Sequence, residues 1–258
     1  MRIISLVPSL TELLYDLGLE ASLVGRTRFC IHPAEKVGSA EIVGGTKNPN
    51  IPRIGNLRPD LVVVSREENR RQDVHKIEQL TAAKMIITDI KTIDEALEAI
   101  IEIGRATGTE SRAGELLDAI QAERPAPASF TDIPAAYLIW KKPLMSVGGD
   151  TYIHDVMREF GLQNVFGHRR RYPETSLEEL SGAEHAAGPD HDRIVLPRFL
   201  LLSSEPFPFK ETHVKEFDSA LSGTGISSIC VDGEHFSWYG SRMAGAFKAL
   251  RSWREQLP

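Results

Sequence analysis

Strand-like and helix-like segments alternate between residues 3 and 123, and this restricts the chain to a parallel sheet whose strands are joined by helical crossovers. Ile3-Ile4-Ser5-Leu6-Val7 reads as an opening strand. Pro8-Ser9-Leu10-Thr11-Glu12 has the form of a capping box, with Ser9 as N-cap and Glu12 three residues on, so a helix is expected to run from there to Gly18. Further strands are expected at Leu23 to Gly25, Leu61 to Val64 and Met85 to Thr88, and a helix from Gln72 to Leu80 presents Val74, Ile77 and Leu80 at helical spacing. Thr92-Ile93-Asp94-Glu95 is a second capping box, opening a helix with Ala96, Leu97, Ile100 and Ile101 on one face, and Gly108 interrupts it.

After Thr109, Glu110 to Glu123 reads as one more helix, stopped by Pro125-Ala126-Pro127. Such a helix spans roughly 21 Å and is stiff, which makes it the expected connection between two lobes. The 258 residues exceed one ordinary domain. The expected organisation is therefore an N-terminal α/β lobe at 1–108, a rigid linking helix at 109–124 and a C-terminal α/β lobe at 125–258, with mainly parallel sheets. The second half repeats the alternation less regularly: a strand from Ala136 to Trp140, a helix from Thr151 to Phe160, a third capping box at Ser176 to Glu179, an apolar stretch from Ile194 to Leu202 broken by Pro197-Arg198, a strand at Ile229 to Val231 and a helix from Arg242 to Trp253. Ala183 to Asp192 reads as a loop insertion.

Composition excludes some functions. A formal net charge of -6 and a pI near 5.8 do not supply the basic face that nucleic acid requires. No apolar run reaches the roughly 20 residues of a membrane span, so no membrane insertion is expected. Two cysteines, Cys30 and Cys230, make neither a disulfide framework nor a four-sulfur zinc site. No Gly-x-Ser-x-Gly elbow, phosphate-cradling loop or His-Glu-x-x-His motif marks an enzyme. A non-catalytic monomer with no intrinsic cofactor is expected.

Loops after strands are the expected ligand contacts, because open α/β sheets bind at their carboxyl edge. After the second strand come Arg28, Phe29 and His32, with Cys30 between them; His32 is the candidate metal ligand, either with the Cys30 thiolate or as an axial ligand to a bound chelate. Arg66 follows the strand ending at Val64. In the second lobe Trp140 and Glu205 follow strands, and Gly233 to Arg242 concentrates His235, Trp238 and Tyr239 before the last helix. His185, Asp190, His191 and Asp192 lie in the Ala/Gly/Pro-rich insertion, whose composition suits a surface loop better than a rigid metal site.

Three segments carry a resemblance. Arg2 to Glu12, Ile54-Gly55-Asn56-Leu57-Arg58-Pro59-Asp60-Leu61-Val62-Val63, and Gly148-Gly149-Asp150-Thr151-Tyr152-Ile153 resemble, in order, the opening, the I-x-x-L-x-P-D-L-V signature and the second-lobe helix start of the class III periplasmic binding proteins. The resemblance, nearest to the vitamin B12-binding members, implies two α/β lobes bridged by one helix, a metal chelate held in the cleft between them (cobalamin, haem or a ferric siderophore), and delivery to an ABC-transporter permease. It also places Lys47 where those members carry a stacking tryptophan, a position at which lysine suits an anionic chelate. Glu178 in the second lobe and Asp73 in the first match the acids that dock permease arginines. The resemblance implies a periplasmic or cell-surface protein, whereas a chain complete at Met1, with no signal peptide before its first strand, would be cytoplasmic. A cytoplasmic cofactor-binding sensor or chaperone, and an enzyme acting on a bound chelate, stay open as alternatives.

Overall fold

Short runs of buried aliphatic residues form the strands of two separate sheets. The structure, a computed structural model, describes residues 1–126, 128–183 and 195–257. These fall into two units: Met1–Arg124 with Trp238–Gly245, and Pro125–Ser237 with Ala246–Pro258. The expected insertion from residue 184 onward, with His185, Asp190, His191 and Asp192, lies outside the described residues.

Unit 1 is built on strands β1 (Ile3–Ser5), β2 (Leu23–Arg26), β3 (Glu41–Ile42), β4 (Leu61–Ser65) and β5 (Lys84–Thr88), all parallel and ordered β3-β2-β1-β4-β5. Helices α1 (Pro8–Asp16), α2 (Ile51–Asn56), α3 (Arg71–Leu80), α4 (Ile93–Thr107) and α5 (Glu110–Glu123) cross over or flank it. Ile4, Leu6, Val62 and Val64 from the central strands bury against Ile54 of α2 and Val74 and Ile77 of α3. Each such side chain removed from water contributes about 1.5–3 kcal/mol. The Pro59-Asp60-Leu61 signature has a local cause: the Asp60 carboxylate accepts from the Arg2 amide at 2.6 Å while the Arg2 guanidinium donates to the Leu57 carbonyl at 2.7 Å, which fixes the entry of β1 beside β4.

Two expected caps turn out differently. Thr92 and Glu95 form the reciprocal box at the start of α4, and Gly108 ends that helix with φ +70°. At α1 the cap is not Ser9 but Val7, with no side-chain bond, because Pro8 occupies the first helical position and brings no amide that needs a partner. Glu12 is thereby released for another role. The helix expected to link the lobes forms at Glu110–Glu123 and ends at the unit boundary. It packs along α4 within unit 1, where the two helices cross so closely that a methyl group on Gly104 would lie 2.7 Å from the Ala113 Cβ.

Unit 2 has β6 (Ile133–Lys141), β7 (Leu144–Ser146), β8 (Leu162–Asn164), β9 (Phe199–Ser203) and β10 (Ser227–Val231), in the order β10-β9-β6-β7 with β8 beside β6. All pairings are parallel except β6 with β7. The expected loop after Trp140 is therefore a tight hairpin, with Lys142-Pro143 at its turn. Helices α6 (Tyr152–Glu159), α7 (Leu177–Leu180), α8 (Glu211–Ala220), α9 (Gly233–Ser237) and α10 (Met243–Arg254) complete the set among the described residues. Within the apolar stretch that the sequence shows broken at Pro197-Arg198, β9 starts at Phe199, after Pro197, which cannot donate to a ladder. The Gly148-Gly149-Asp150 turn clamps a facing loop. Gly148 and Gly149 donate to the carbonyls of Arg171 and Arg169 at 2.7 and 2.8 Å, and Asp150 accepts from the Arg171 amide at 2.5 Å. A side chain at Gly149 would meet the Gly167 carbonyl at 2.1 Å.

Candidate functional site

Because all five strands of unit 1 are parallel, their carboxyl ends share one edge, and the loops leaving Arg26, Ile42, Ser65 and Thr88 lie along it. The loop after β2 is anchored from below. The buried Arg26 guanidinium donates to the carbonyls of Val37, Thr27 and Cys30 at 2.6–3.1 Å, and the Cys30 thiol sits between the hydroxyls of Thr11 and Thr27 at 3.0 and 3.2 Å. That anchoring turns the neighbouring side chains outward. Phe29 is 52% exposed and Ile31 51%, large values for apolar residues, and the Arg28 guanidinium lies 5.8 Å from the Phe29 ring.

His32 ends this exposed stretch, and its ring meets the Trp238 ring edge-on at 5.2 Å and 74°. Trp238 comes from the segment Trp238–Gly245, which belongs to unit 1 although it follows unit 2 in the chain. Next to it the buried Tyr239 hydroxyl approaches the Ser65 hydroxyl at 3.4 Å, and burial pushes its pKa up to about 12. The Arg242 guanidinium sits 5.0 Å from the Trp238 ring and makes a two-pronged pair with the Glu12 carboxylate at 2.8 and 2.7 Å. Thus Arg28, Phe29, His32, Trp238 and Tyr239 gather on one edge of unit 1. Trp238 and Tyr239 join the N-terminal residues rather than Trp140 and Glu205, a reassignment from the sequence expectation that follows from the chain's return to unit 1.

Three other expected contacts behave differently. Lys47 Nζ donates to the Glu67 backbone carbonyl at 2.6 Å, so it also ties the β3 loop to the β4 loop. Arg66 is exposed and 3.5 Å from Asp89; it lines a groove of about 950 Å³ with Ser65, Arg71, His75 and Ile87. The Cys30 thiol is buried beneath the loop, where burial raises its pKa, whereas His32 ends the outward-facing stretch. Among the described residues no three His, Cys, Asp or Glu side chains cluster as metal ligands.

The carboxyl edge of unit 2 gathers Trp140, Glu205 and His235. Trp140, 40% exposed, stands edge-on to Phe207 at 5.8 Å, and Phe207 continues to Phe209 at 4.7 Å and through it to the core ring of Phe217. Glu205 accepts from the Ser237 hydroxyl at 2.5 Å, and His235 lies 3.6 Å from Asp232. The buried Tyr137 donates to Ser203 at 3.0 Å, with its pKa raised chiefly by burial. Of the two acids expected from the resemblance to dock a permease, Glu178 is exposed in the first turn of α7, whereas Asp73 is buried in the first turn of α3.

The sequence points to the loops that carry Ser65, Phe207 and Arg242, but not to Glu12, as parts of these edges. Glu12 was absorbed by an apparent capping box, and Pro8 at the first helical position was the signal against that. Arg242 lay inside a segment already singled out.

Residues 3–187 match the family model described as periplasmic binding protein. The chain is 26% identical to a vitamin B12-binding protein of Vibrio vulnificus over 69% of its own length and 67% of the relative's. It is 29% identical to an uncharacterized ABC transporter substrate-binding lipoprotein, YvrC, of Bacillus subtilis, over 64% of its own length and 55% of the relative's. In fold it is similar to the periplasmic heme-binding protein RhuT from Roseiflexus sp. RS-1, with a TM-score of 0.79 and 19% identity over 98% of this chain and 97% of that one.

Proposed function

The chain belongs to the periplasmic binding protein family, and from that premise we propose that it binds a bulky metal chelate without transforming it and hands it to an ABC importer. One observation carries the reading. Phe29 and Ile31 are held outward beside His32, which is braced edge-on by the buried Trp238, so the carboxyl edge of unit 1 offers an apolar surface with one imidazole. A flat macrocycle is recognised by that combination: rings and aliphatic groups cover its face, and a neutral imidazole nitrogen is a common ligand for its metal. Arg28, Arg66 and Lys47 beside it favour a chelate that carries carboxylates, and Trp140, Glu205 and His235 are the candidate contacts of unit 2. The relatives named above are binding proteins, which supports binding rather than turnover.

Titration of the purified protein with ferric haem and with cyanocobalamin, followed in the visible spectrum, tests this. Saturable binding of one probe, with the probe recovered unchanged, is expected; His32→Ala should weaken it and alter the spectrum of the bound metal. A protein that shifts neither spectrum removes both chelates, and recovery of a modified chelate moves the protein to an enzyme. Delivery to an importer rests on the exposed Glu178, and Glu178→Ala should reduce uptake in cells while leaving binding intact.

A further inference from the structure

On the reading that this edge of unit 1 meets the ligand, we propose that Glu12 and Arg242 are positioning residues: together they latch the segment Trp238–Gly245 onto the start of α1 and so hold Trp238 against His32. The pair is two-pronged, at 2.8 and 2.7 Å, and its side chains are only 22% and 16% exposed. An Arg–carboxylate fork of that kind fixes orientation as well as distance. The guanidinium that faces Glu12 also lies 5.0 Å from the Trp238 ring, and Trp238 in turn stands 5.2 Å from His32. Glu12, Arg242, Trp238 and His32 therefore form one connected row from the first turns of α1 to the outward-facing loop.

The rest of the segment leans on the same helix. Gly240, with φ +105°, passes 3.5 Å from the Ser9 carbonyl and 3.4 Å from the Leu13 Cβ, measured from where its own Cβ would stand. The Tyr239 hydroxyl adds a contact to Ser65 at 3.4 Å and a hydrogen bond with Ser9 of the same helix. The fork is a charged, two-pronged tie, and a segment of eight residues that returns to unit 1 after 113 residues in unit 2 gains its placement from such directional bonds. Neither Glu12 nor Arg242 needs to touch the ligand for this; they act through Trp238.

Full-length Glu12→Gln, Arg242→Gln, Arg242→Lys and the double reversal Glu12→Arg/Arg242→Glu test the latch. Trp238 is read selectively by fluorescence in a Trp140→Phe/Trp253→Phe background, since the chain has three tryptophans. Both Gln variants should shift Trp238 emission to the red and increase its quenching by acrylamide. The Lys variant should fall between them and the parent, and the reversal should return toward it. In the parent tryptophan background the Gln variants should bind whichever of ferric haem or cyanocobalamin the wild type takes on the order of tenfold more weakly, through faster release, as expected when a partly buried charge loses its partner. Unchanged emission and quenching in both Gln variants, or a folded reversal that stays as red-shifted as they are, overturns the latch. If neither Gln variant folds, the Lys variant decides in the same way, by the presence or absence of the intermediate shift. Failure of the wild type to bind either probe counts against the proposed function alone, because the emission arm needs no ligand.

Discussion

Both units end a central strand in a serine that meets a buried tyrosine hydroxyl, but they bring the tyrosine there by different routes. In unit 2 Tyr137 lies on β6, the neighbour of β9, and reaches Ser203 at 3.0 Å across one strand spacing. In unit 1 Tyr239 reaches Ser65 of β4 at 3.4 Å from a segment 174 residues away in sequence. The surroundings differ in the same sense. Unit 2 backs its edge with rings that run from Trp140 through Phe207 and Phe209 into the core, whereas unit 1 secures its edge with a charged fork between Glu12 and Arg242. An edge made from adjacent strands can rely on non-directional packing, because the sheet already sets its register. An edge completed by a returning segment needs directional bonds to choose where that segment lands.

This contrast breaks most readily at Phe209, which is 5% exposed and touches Phe207, His213 and Phe217. Phe209→Ala should cost about 3–5 kcal/mol in denaturant unfolding, the range for emptying an aromatic site in a core. It should also leave Trp140 more mobile by fluorescence anisotropy. A loss no greater than that of a surface substitution would show that packing does not carry the edge of unit 2. Gly233→Ala probes the same edge from its loops. The added methyl would stand 2.5 Å from the Ser203 hydroxyl and 2.6 Å from the Glu205 side chain, so the β9 and β10 loops must move apart. A loss of about 1–3 kcal/mol is expected, with no change in Trp238 emission; a shift there would mean that the two edges are not independently built.

The same contrast separates what the sequence announces from what it hides. Most of the parallel sheet of unit 1 is legible because its longer strands and crossovers carry their own local signals: aliphatic runs in β1 and β4, the Thr92–Glu95 box, and Gly108 at a left-handed turn. Short elements such as β3, of two residues, and β8, of three, carry too few side chains for a periodicity to show. The placement of Arg28, Phe29 and His32 at a carboxyl edge could be inferred, since loop position follows from strand order. Trp238 and Tyr239 stand out as candidate contacts by composition, yet their unit does not, because no local rule says that a chain will return across a boundary for eight residues. The burial of Cys30 likewise depends in part on Thr11, nineteen positions away.

The two tyrosines provide the smallest effect and the finest comparison. Tyr137→Phe and Tyr239→Phe each remove one hydroxyl from a buried site. Each should cost about 1 kcal/mol, the usual net worth of a buried hydrogen bond, Tyr137 through its 3.0 Å bond to Ser203 and Tyr239 through the bonds its hydroxyl shares with Ser65 and Ser9. Alkaline pH reads the same groups without mutation. Burial raises both pKa values above the ordinary 10.0, that of Tyr239 to about 12, so between those values the folded chain keeps a proton that the unfolded chain has released. The unfolded state then binds fewer protons, and stability must fall as pH rises above 10, by at most about 1.4 kcal/mol per pH unit for each tyrosine. Stability from urea unfolding at pH 9 to 11.5 should therefore decline steeply in the parent, less steeply in each single variant and least in the double. For Tyr239 the decline should level off near pH 12. An unaltered slope in Tyr239→Phe would mean that water reaches its hydroxyl, and that the returning segment is held less closely on Ser65 than Tyr137 is on Ser203.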